Sequence, residues 1–433
     1  MPRTVSALLI FLATSVGPVQ GGQTAIHAGR LIDVSSGVIM RNVSVVVDGN
    51  RITTVTPGFV DPKDDQIVID LRDHTLLPGL MDMHTHLSTV ISPDFFMEKF
   101  VMNSADYAFR SAMYAEQTLL AGFTTVRDLG DQDHNLTMAL RDAIRKGYVK
   151  GPRIYTSGKG LATTGGLADP TNGLRREFMG DPGFVEGVVN GPVSARKAVR
   201  QRFKEGADLI KLNVTGGAIN PGRSLLKAQW MQDELDVIVE TAAAYDMRVA
   251  AHAHTVDGIE RSVRAGVHSI EHGTFMDEST AALMKGHGTA YVPTMMAMKW
   301  ITEQSHNDET LPKEIRAKSE NLGTQIERTV AMAYKEGVWI VFGTDAGVFP
   351  HGLNAGEFEH MVAAGIPPLA AVKSATIEAA RLLGIDDELG TIEAGKLADI
   401  VAVRGDPLAD IGLLKNVTFV MKDGIVYKSE ESD

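Results

Sequence analysis

Five short segments carry side chains able to bind metal ions or move protons. They are Met83-His84-Thr85-His86, Ile210-Lys211-Leu212, Ala251-His252-Ala253-His254, Glu271-His272-Gly273 and Gly343-Thr344-Asp345. Each closes an apolar stretch of strand length. His84 and His86 stand one residue apart, as do His252 and His254. Positions i and i+2 of a strand face the same way, so the imidazoles of such a pair can reach one ion. An isolated His-x-His is a weak signal; after Pro78-Gly-Leu-Met-Asp-Met83, an entry into a buried strand, it is a stronger one. Lys211 has an ordinary reading as a lysine snorkelling from a core strand to a rim carboxylate, and an unmodified ammonium repels metal ions. Asp345 follows the apolar Val338-Trp-Ile-Val-Phe-Gly-Thr344, where an aspartate is usually a helix N-cap. Facing His84, His86, His252 and His272, it reads better as a ligand and proton carrier. His268, at the start of its strand, reads as structural. The expected chemistry is a two-metal hydrolytic centre. Imidazole and carboxylate donors without thiolate suit Zn2+, with Mn2+, Co2+ or Fe2+ as alternatives. Two such ions lower the pKa of a shared water from about 15.7 toward about 7 and polarise a carbonyl, so no serine nucleophile is required. Neither a Gly-x-Ser-x-Gly elbow nor a phosphate-binding loop is present.

Such a set converges only if its strands are arranged side by side. Strands are expected at 78–84, 123–128, 153–158, 208–213, 247–252, 267–272, 289–293 and 338–345. Helices are expected at 103–121, 194–205, 231–245, 256–265, 313–336 and 368–384, with Ser104 and Ser194 as capping candidates. This alternation predicts an α/β fold, a TIM (β/α)8 barrel over residues 77–389. The Gly-, Asp- and Pro-rich stretch 159–193 and the stretch 215–230 both follow strands. They therefore fall on the rim where barrel enzymes place their sites, and are the expected substrate loops. Residues 23–76 and 390–433 are rich in short strands and turns, including the hairpin signal Asp48-Gly49-Asn50. They are expected to form one small composite β-sandwich domain from both chain ends.

The 433 residues leave room for both units, and 44% hydrophobic with 22% charged residues is ordinary for a globular enzyme. A net charge of −12 with no long basic run argues against nucleic-acid binding. The chain has no cysteine, which excludes disulfides, thiolate ligands and a cysteine nucleophile. Residues 1–22 combine Arg3, an apolar run and a small-residue exit, the parts of a secretory signal peptide; a buried N-terminal helix is the alternative. Export to the periplasm or the medium is expected, with no membrane attachment once the signal is removed.

The order His-x-His, Lys, His, His, Asp resembles the amidohydrolase superfamily. So do Leu77-Pro-Gly-Leu-Met-Asp-Met-His-Thr-His86 and Gly395-Lys-Leu-Ala-Asp-Ile-Val401, and the likeness spans residues 24–430. Lys211 places the resemblance in the binuclear branch. Thr163-Thr-Gly-Gly166, Ala251-His-Ala-His-Thr255 and Ser269-Ile-Glu-His-Gly273 look most similar to the prolidase-like zinc carboxypeptidases, a group that includes ochratoxin-hydrolysing amidohydrolases. The resemblance implies that His84 and His86 bind the more buried of two Zn2+ ions together with Asp345. It implies that Lys211, carboxylated by CO2, bridges the ions, and that His252 and His272 bind the second. Asp345 would take a proton from the bridging hydroxide as it attacks and deliver it to the leaving amine. His254 would contact the substrate carbonyl or carboxylate. Many relatives carry a histidine directly after the Thr-Gly-Gly turn, where this chain has Leu167. That departure predicts a more apolar pocket, favouring C-terminal Phe, Leu or Pro over Arg or Lys. Arg223 is an alternative carboxylate partner or a solvated loop residue. The expected reaction is hydrolysis of a small-molecule amide or peptide that releases a C-terminal amino acid from dipeptides, N-acyl amino acids or ochratoxin-like compounds. A cyclic amidase of the hydantoinase or dihydroorotase type is the alternative, and a catalytically silent scaffold a distant third. Relatives of this kind imply a homo-oligomer.

Overall fold

Strands buried on both faces read as unbroken apolar runs, and those runs form the middle of the molecule. The computed structural model describes residues 23–62, 66–131, 135–217, 227–305, 311 and 322–430. The N-terminal part contributes β1 (Thr24–Ile32), β2 (Ile39–Asp48), β3 (Arg51–Pro57) and β4 (Ile67–Pro78). Then follow β5 (Leu80–Thr85), β6 (Phe123–Asp128), β7 (Arg153–Thr156), β8 (Leu209–Asn213), β9 (Arg248–Ala253), β10 (Ser269–His272) and β11 (Ala290–Val292). The C-terminal part supplies β12 (Ile400–Arg404), β13 (Phe419–Lys422) and β14 (Ile425–Ser429). Every residue of β5, β6, β8 and β10 is buried.

From β5 to β11, strands alternate with helices such as Ser104–Leu120, Leu136–Arg145, Gly191–Glu205, Gln232–Ala243, Val256–Ala265 and Glu278–His287. Pairing is parallel in two runs, β5-β6-β7 and β8-β9-β10-β11. The runs are linked by single bridges. Leu161, just beyond β7, donates its N–H to Lys211 O at 2.8 Å. On the other side Tyr291 of β11 bridges Ile340, and Met83 N–H reaches Phe342 O at 3.0 Å. The expected strand 338–345 is thus present only as isolated bridges. Its backbone ends at Asp345, whose φ is 61°.

Ser104 and Ser194 lie inside helices whose N-cap positions are held by Asn103 and Asn190. Of the expected helix 313–336, the described part is Leu322–Glu336. The expected signal peptide 1–22 and Arg223 lie outside the described residues. No helix among the described residues is long and apolar enough to cross a membrane.

Both chain ends meet in a seven-stranded sheet of order β14-β13-β12-β4-β1-β2-β3. The sheet also curls back on itself, with Arg51 bridging Leu397 and Ala398 N–H reaching Asn50 O at 2.9 Å, and both chain ends share it. The twelve-residue β4 joins them, pairing with β1 along one edge and with β12 along the other. Apolar side chains from both ends, among them Ile26, Val45, Leu76, Ile400 and Phe419, form its core. Only Gly79 separates β4 from β5, and a Cβ there would lie 2.2 Å from Thr124 Oγ1. The sheet therefore feeds directly into the first strand of the parallel array. Arg153 of β7 adds a second tie, pairing with Asp399 at 2.9 Å and Asp423 at 2.5 Å.

Candidate metal centre

The ends of β5, β8, β9 and β10 and the segment after Ile340 deliver their polar side chains to one place. His84, His86, Lys211, His252, His254, His272, Asp345 and Leu167 all line one cavity of about 350 Å³. Ring centroids are 5.4 Å apart for His84 and His86, 4.9 Å for His84 and His272, 4.6 Å for His252 and His272 and 4.5 Å for His252 and His254. His86 Nε2 lies 3.1 Å from Asp345 Oδ1, and His84 Nε2 lies 3.5 Å from the same oxygen and 3.4 Å from Lys211 Nζ.

The far side of these rings is tied to hydrogen-bond partners. His84 Nδ1 is 2.9 Å from Glu271 Oε2, His86 Nδ1 3.2 Å from Gly130 O, and His254 Nδ1 2.8 Å from Thr274 Oγ1. His272 Nδ1 is 2.7 Å from Thr294 Oγ1, whose own hydrogen goes to Pro293 O at 2.7 Å. That hydroxyl must therefore accept from His272 Nδ1–H, which leaves Nε2 of His272 as the lone-pair nitrogen. A carboxylate or carbonyl opposite His84 and His86 sets the same tautomer there. His252 differs, with Nε2 3.3 Å from Gly216 O.

Burial makes these imidazoles poor bases. It is the main cause holding His84, His252 and His272 well below the ordinary histidine range, helped by Lys211 at His84, by His254 at His252 and by His252 at His272. His254 is pushed down to about 4, chiefly by burial. His86 is raised: the hydrogen bond and charge of Asp345 outweigh its burial. Burial lowers Lys211 to about 8, against the pull of Glu271 and Asp345. Neutral imidazole is the form that binds metal, so the donor set fits a divalent ion. Donor atoms of His84, His272 and Asp345 lie within 4.8 Å of one another, a reach suited to a shared ion. That trio straddles the two pairs expected from the sequence. His86 adjoins it through Asp345, and His252 through His272.

Two of these candidate ligands hold unusual backbone conformations. His272 has φ 70° and Asp345 φ 61°, and Thr294, the anchor of His272, has φ 54°. Left-handed non-glycine residues cost about 1–3 kcal/mol each and persist where the surroundings over-determine them. At His272 the consequence is direct. Neighbouring strand residues face opposite ways, yet Glu271 and His272 both reach the centre because the strand breaks its alternation there.

Several contributors escaped sequence reasoning. Glu271 is fully buried; Arg127 Nη2 donates to its Oε1 at 2.8 Å and Ser269 Oγ at 2.5 Å. Arg127 Nε also donates to Met83 O at 2.6 Å, bracing the strand end that carries His84. Asp82 Oδ1 accepts the N–H groups of His84 and Thr344, each at 3.0 Å, and Oδ2 accepts Thr344 Oγ1 at 2.6 Å and Asn354 Nδ2 at 2.8 Å. It bolts β5 to the Asp345 segment, and burial pushes its carboxyl up to about 6. The available signal was a buried-strand aspartate two residues before His84.

Comparison with known proteins agrees with this picture. The model of the amidohydrolase family matches residues 75–427. An ochratoxinase of Aspergillus niger is 32% identical over 426 residues, covering 94% of this chain and 86% of that protein. Among solved structures, a Xaa-Pro dipeptidase with methionine bound in its active site is 47% identical, with a TM-score of 0.91 over 94% of this chain and 100% of that one. A prolidase complexed with N-methylphosphonate-L-proline is 32% identical, with a TM-score of 0.86 over 94% of this chain and all 100% of the other.

Proposed function

This chain belongs to the amidohydrolase family and is a hydrolase acting on amide bonds, and we propose that it uses two zinc ions to release a C-terminal amino acid from a dipeptide or N-acyl amino acid, ochratoxin A among the candidates. The observation that carries the reading is the convergence of His84, His86, His252, His272, Lys211 and Asp345 on one cavity. In this reading His84, His86 and Asp345 hold one ion, while His252 and His272 hold the other. Bound there, the ions would activate water and polarise the scissile carbonyl.

The chain's own residues supply the remaining steps. Lys211, lowered to about 8 by burial, has its free amine within reach near neutral pH. The amine nitrogen adds to the carbon of CO2 and loses a proton, which leaves a carbamate anion able to bridge. Asp345 takes a proton from the attacking water and returns it to the leaving nitrogen as the C–N bond breaks. His254, with Nδ1 held by Thr274, is the neutral imidazole left to meet the substrate carbonyl or carboxylate. Leu167 shares the cavity wall with Ile91, Phe95, Phe96, Met298 and Val348, which supports an apolar residue on the leaving side. The bridges at Leu161 and Ile340 support closure of the parallel strands into an eight-membered ring. Export directed by residues 1–22 and assembly as a homo-oligomer belong to the same proposal.

The test is amino-acid release from N-acyl-Phe, N-acyl-Pro, N-acyl-Arg, ochratoxin A and hydantoin by the zinc-loaded protein, with a chelator control. Chelator-sensitive release of Phe or Pro, with Arg slower, is expected. A clear preference for Arg would refute the role given to Leu167. Turnover of hydantoin alone would replace the reading with a cyclic amidase.

A further inference from the structure

Asp131 lines the same cavity as Lys211 and Asp345, three residues past the end of β6, and has no part in the chemistry above. It is 9% exposed. Its Oδ1 accepts Thr137 N–H at 3.1 Å, while its Oδ2 is buried without a hydrogen-bond partner among the described residues. Neighbouring Asp128 is spent on backbone, with Oδ2 on Leu87 N at 2.6 Å and Oδ1 on Gly130 N at 3.4 Å. Burial first, and then the charge of Asp128, push the Asp131 carboxyl well above the usual carboxylate range. A buried carboxylate oxygen left without a donor is costly, and such groups in native structures find their partner in an ordered water, an ion or a ligand.

The missing partner can be narrowed by chemistry. A divalent cation needs several oxygen donors, and Asp131 offers one free oxygen beside an aspartate whose own two are engaged. A primary ammonium needs one strong acceptor and brings the compensating charge. The location also fits. Asp131 shares the cavity wall with His86, Lys211 and Asp345, and Gly130, the residue before it, holds the outer nitrogen of His86 through its carbonyl at 3.2 Å. In a dipeptide the α-nitrogen lies two bonds from the scissile carbonyl carbon.

We propose that Asp131 Oδ2 receives the free α-ammonium of the substrate, forming an amino-terminal subsite that selects unblocked dipeptides over N-acylated amino acids. This rests on the amide-hydrolase reading above and narrows its substrate class. Asp131 acts on binding and specificity.

The test compares Met-Phe with N-acetyl-Met-Phe on the zinc-loaded protein and on Asp131→Asn. Wild type should favour Met-Phe in kcat/KM by at least about tenfold, as expected for a charge-assisted contact. Asp131→Asn should lower that ratio by at least about tenfold, mainly through a raised KM for Met-Phe. A ratio equal in the two proteins overturns the subsite even if both peptides are cleaved, and the function proposed above then stands without it. A second readout needs no turnover. L-methioninol, a free amine with no amide to cleave, should raise the melting temperature of wild type and not that of Asp131→Asn, with N-acetyl-L-methioninol inert on both. If neither peptide is cleaved, the proposed reaction fails while the methioninol comparison still decides Asp131. Equal shifts in wild type and variant overturn it.

Discussion

The tightest constraints on the centre sit behind the ligands. Glu271 Oε2 at 2.9 Å fixes the tautomer of His84, and Arg127 and Ser269 fix Glu271 in turn. Carboxylates behind metal-binding imidazoles typically account for about 10–100-fold in metal affinity. Glu271→Gln is accordingly expected to weaken zinc binding by about 10–100-fold, measured by competition with a fluorescent chelator. Retention of full affinity would show that Arg127 and Met83 position His84 without it. Among the described residues, Asp345 is the one carboxylate in contact with both His84 and His86. Asp345→Asn keeps its shape and removes the proton acceptor, so kcat should fall about 10²–10⁴-fold while circular dichroism stays that of wild type. His84, His86, His252, His272 and Asp345 were legible because period-2 spacing and apolar flanks are local properties. Glu271 was not, because strand alternation places it opposite His272, and only the φ of 70° at His272 brings the two together.

At the scale of elements, the segment after Ile340 shows how a strand is broken to serve a site. Gly343 packs so closely that a Cβ would stand 2.3 Å from Val292 Cγ1 and 3.1 Å from His84 N. In the next two residues, Thr344 is held by Asp82 and Asp345 N–H by His84 O at 2.7 Å. Gly343→Ala must push β11 or β5 aside. It should cost about 1–3 kcal/mol in denaturant unfolding and, by moving His84, lower the zinc content of purified protein. Wild-type stability and metal content together would contradict the packing account. The stretch 338–345 was read as a strand from its apolar composition, correctly as to place. In the structure it makes single bridges, and it ends at Asp345, whose left-handed backbone no periodicity announces.

The whole molecule couples its stability to buried titratable groups away from the ligands. Glu357 is fully buried, and its carboxylate oxygens accept Met295 N at 2.9 Å and Met296 N at 2.6 Å, just after the Thr294 that anchors His272. Burial raises its carboxyl from the usual 4.5 to about 8. An acid with a raised folded pKa keeps its proton in the folded state while the unfolded chain gives it up. Its contribution is therefore complete below 4.5 and is lost as pH rises through about 8. Glu357→Gln does not titrate, so the stability of wild type relative to this variant should fall between pH 5 and pH 8 by more than about 1 kcal/mol. Urea unfolding of both proteins across that interval checks it, and a constant difference would refute it.

Some of this protein follows from local sequence alone. Alternating apolar strands and helices specify an α/β array, and metal-capable side chains placed just after buried strands point to a site able to hold metal and hydrolyse an amide. Both signals repeat over a few residues, so covalent geometry and burial suffice to read them. Which far-separated residues touch was decided by tertiary structure. Strand order sets Arg127 and Glu271 against His84, Asp82 against Thr344, and Asp131 in the cavity wall. The same holds for the sheet of the two chain ends, where β4 accepts β1 on one edge and β12 on the other and so joins both ends in one sheet. Such pairings depend on which strand becomes whose neighbour, a property of the folded whole that no local spacing encodes.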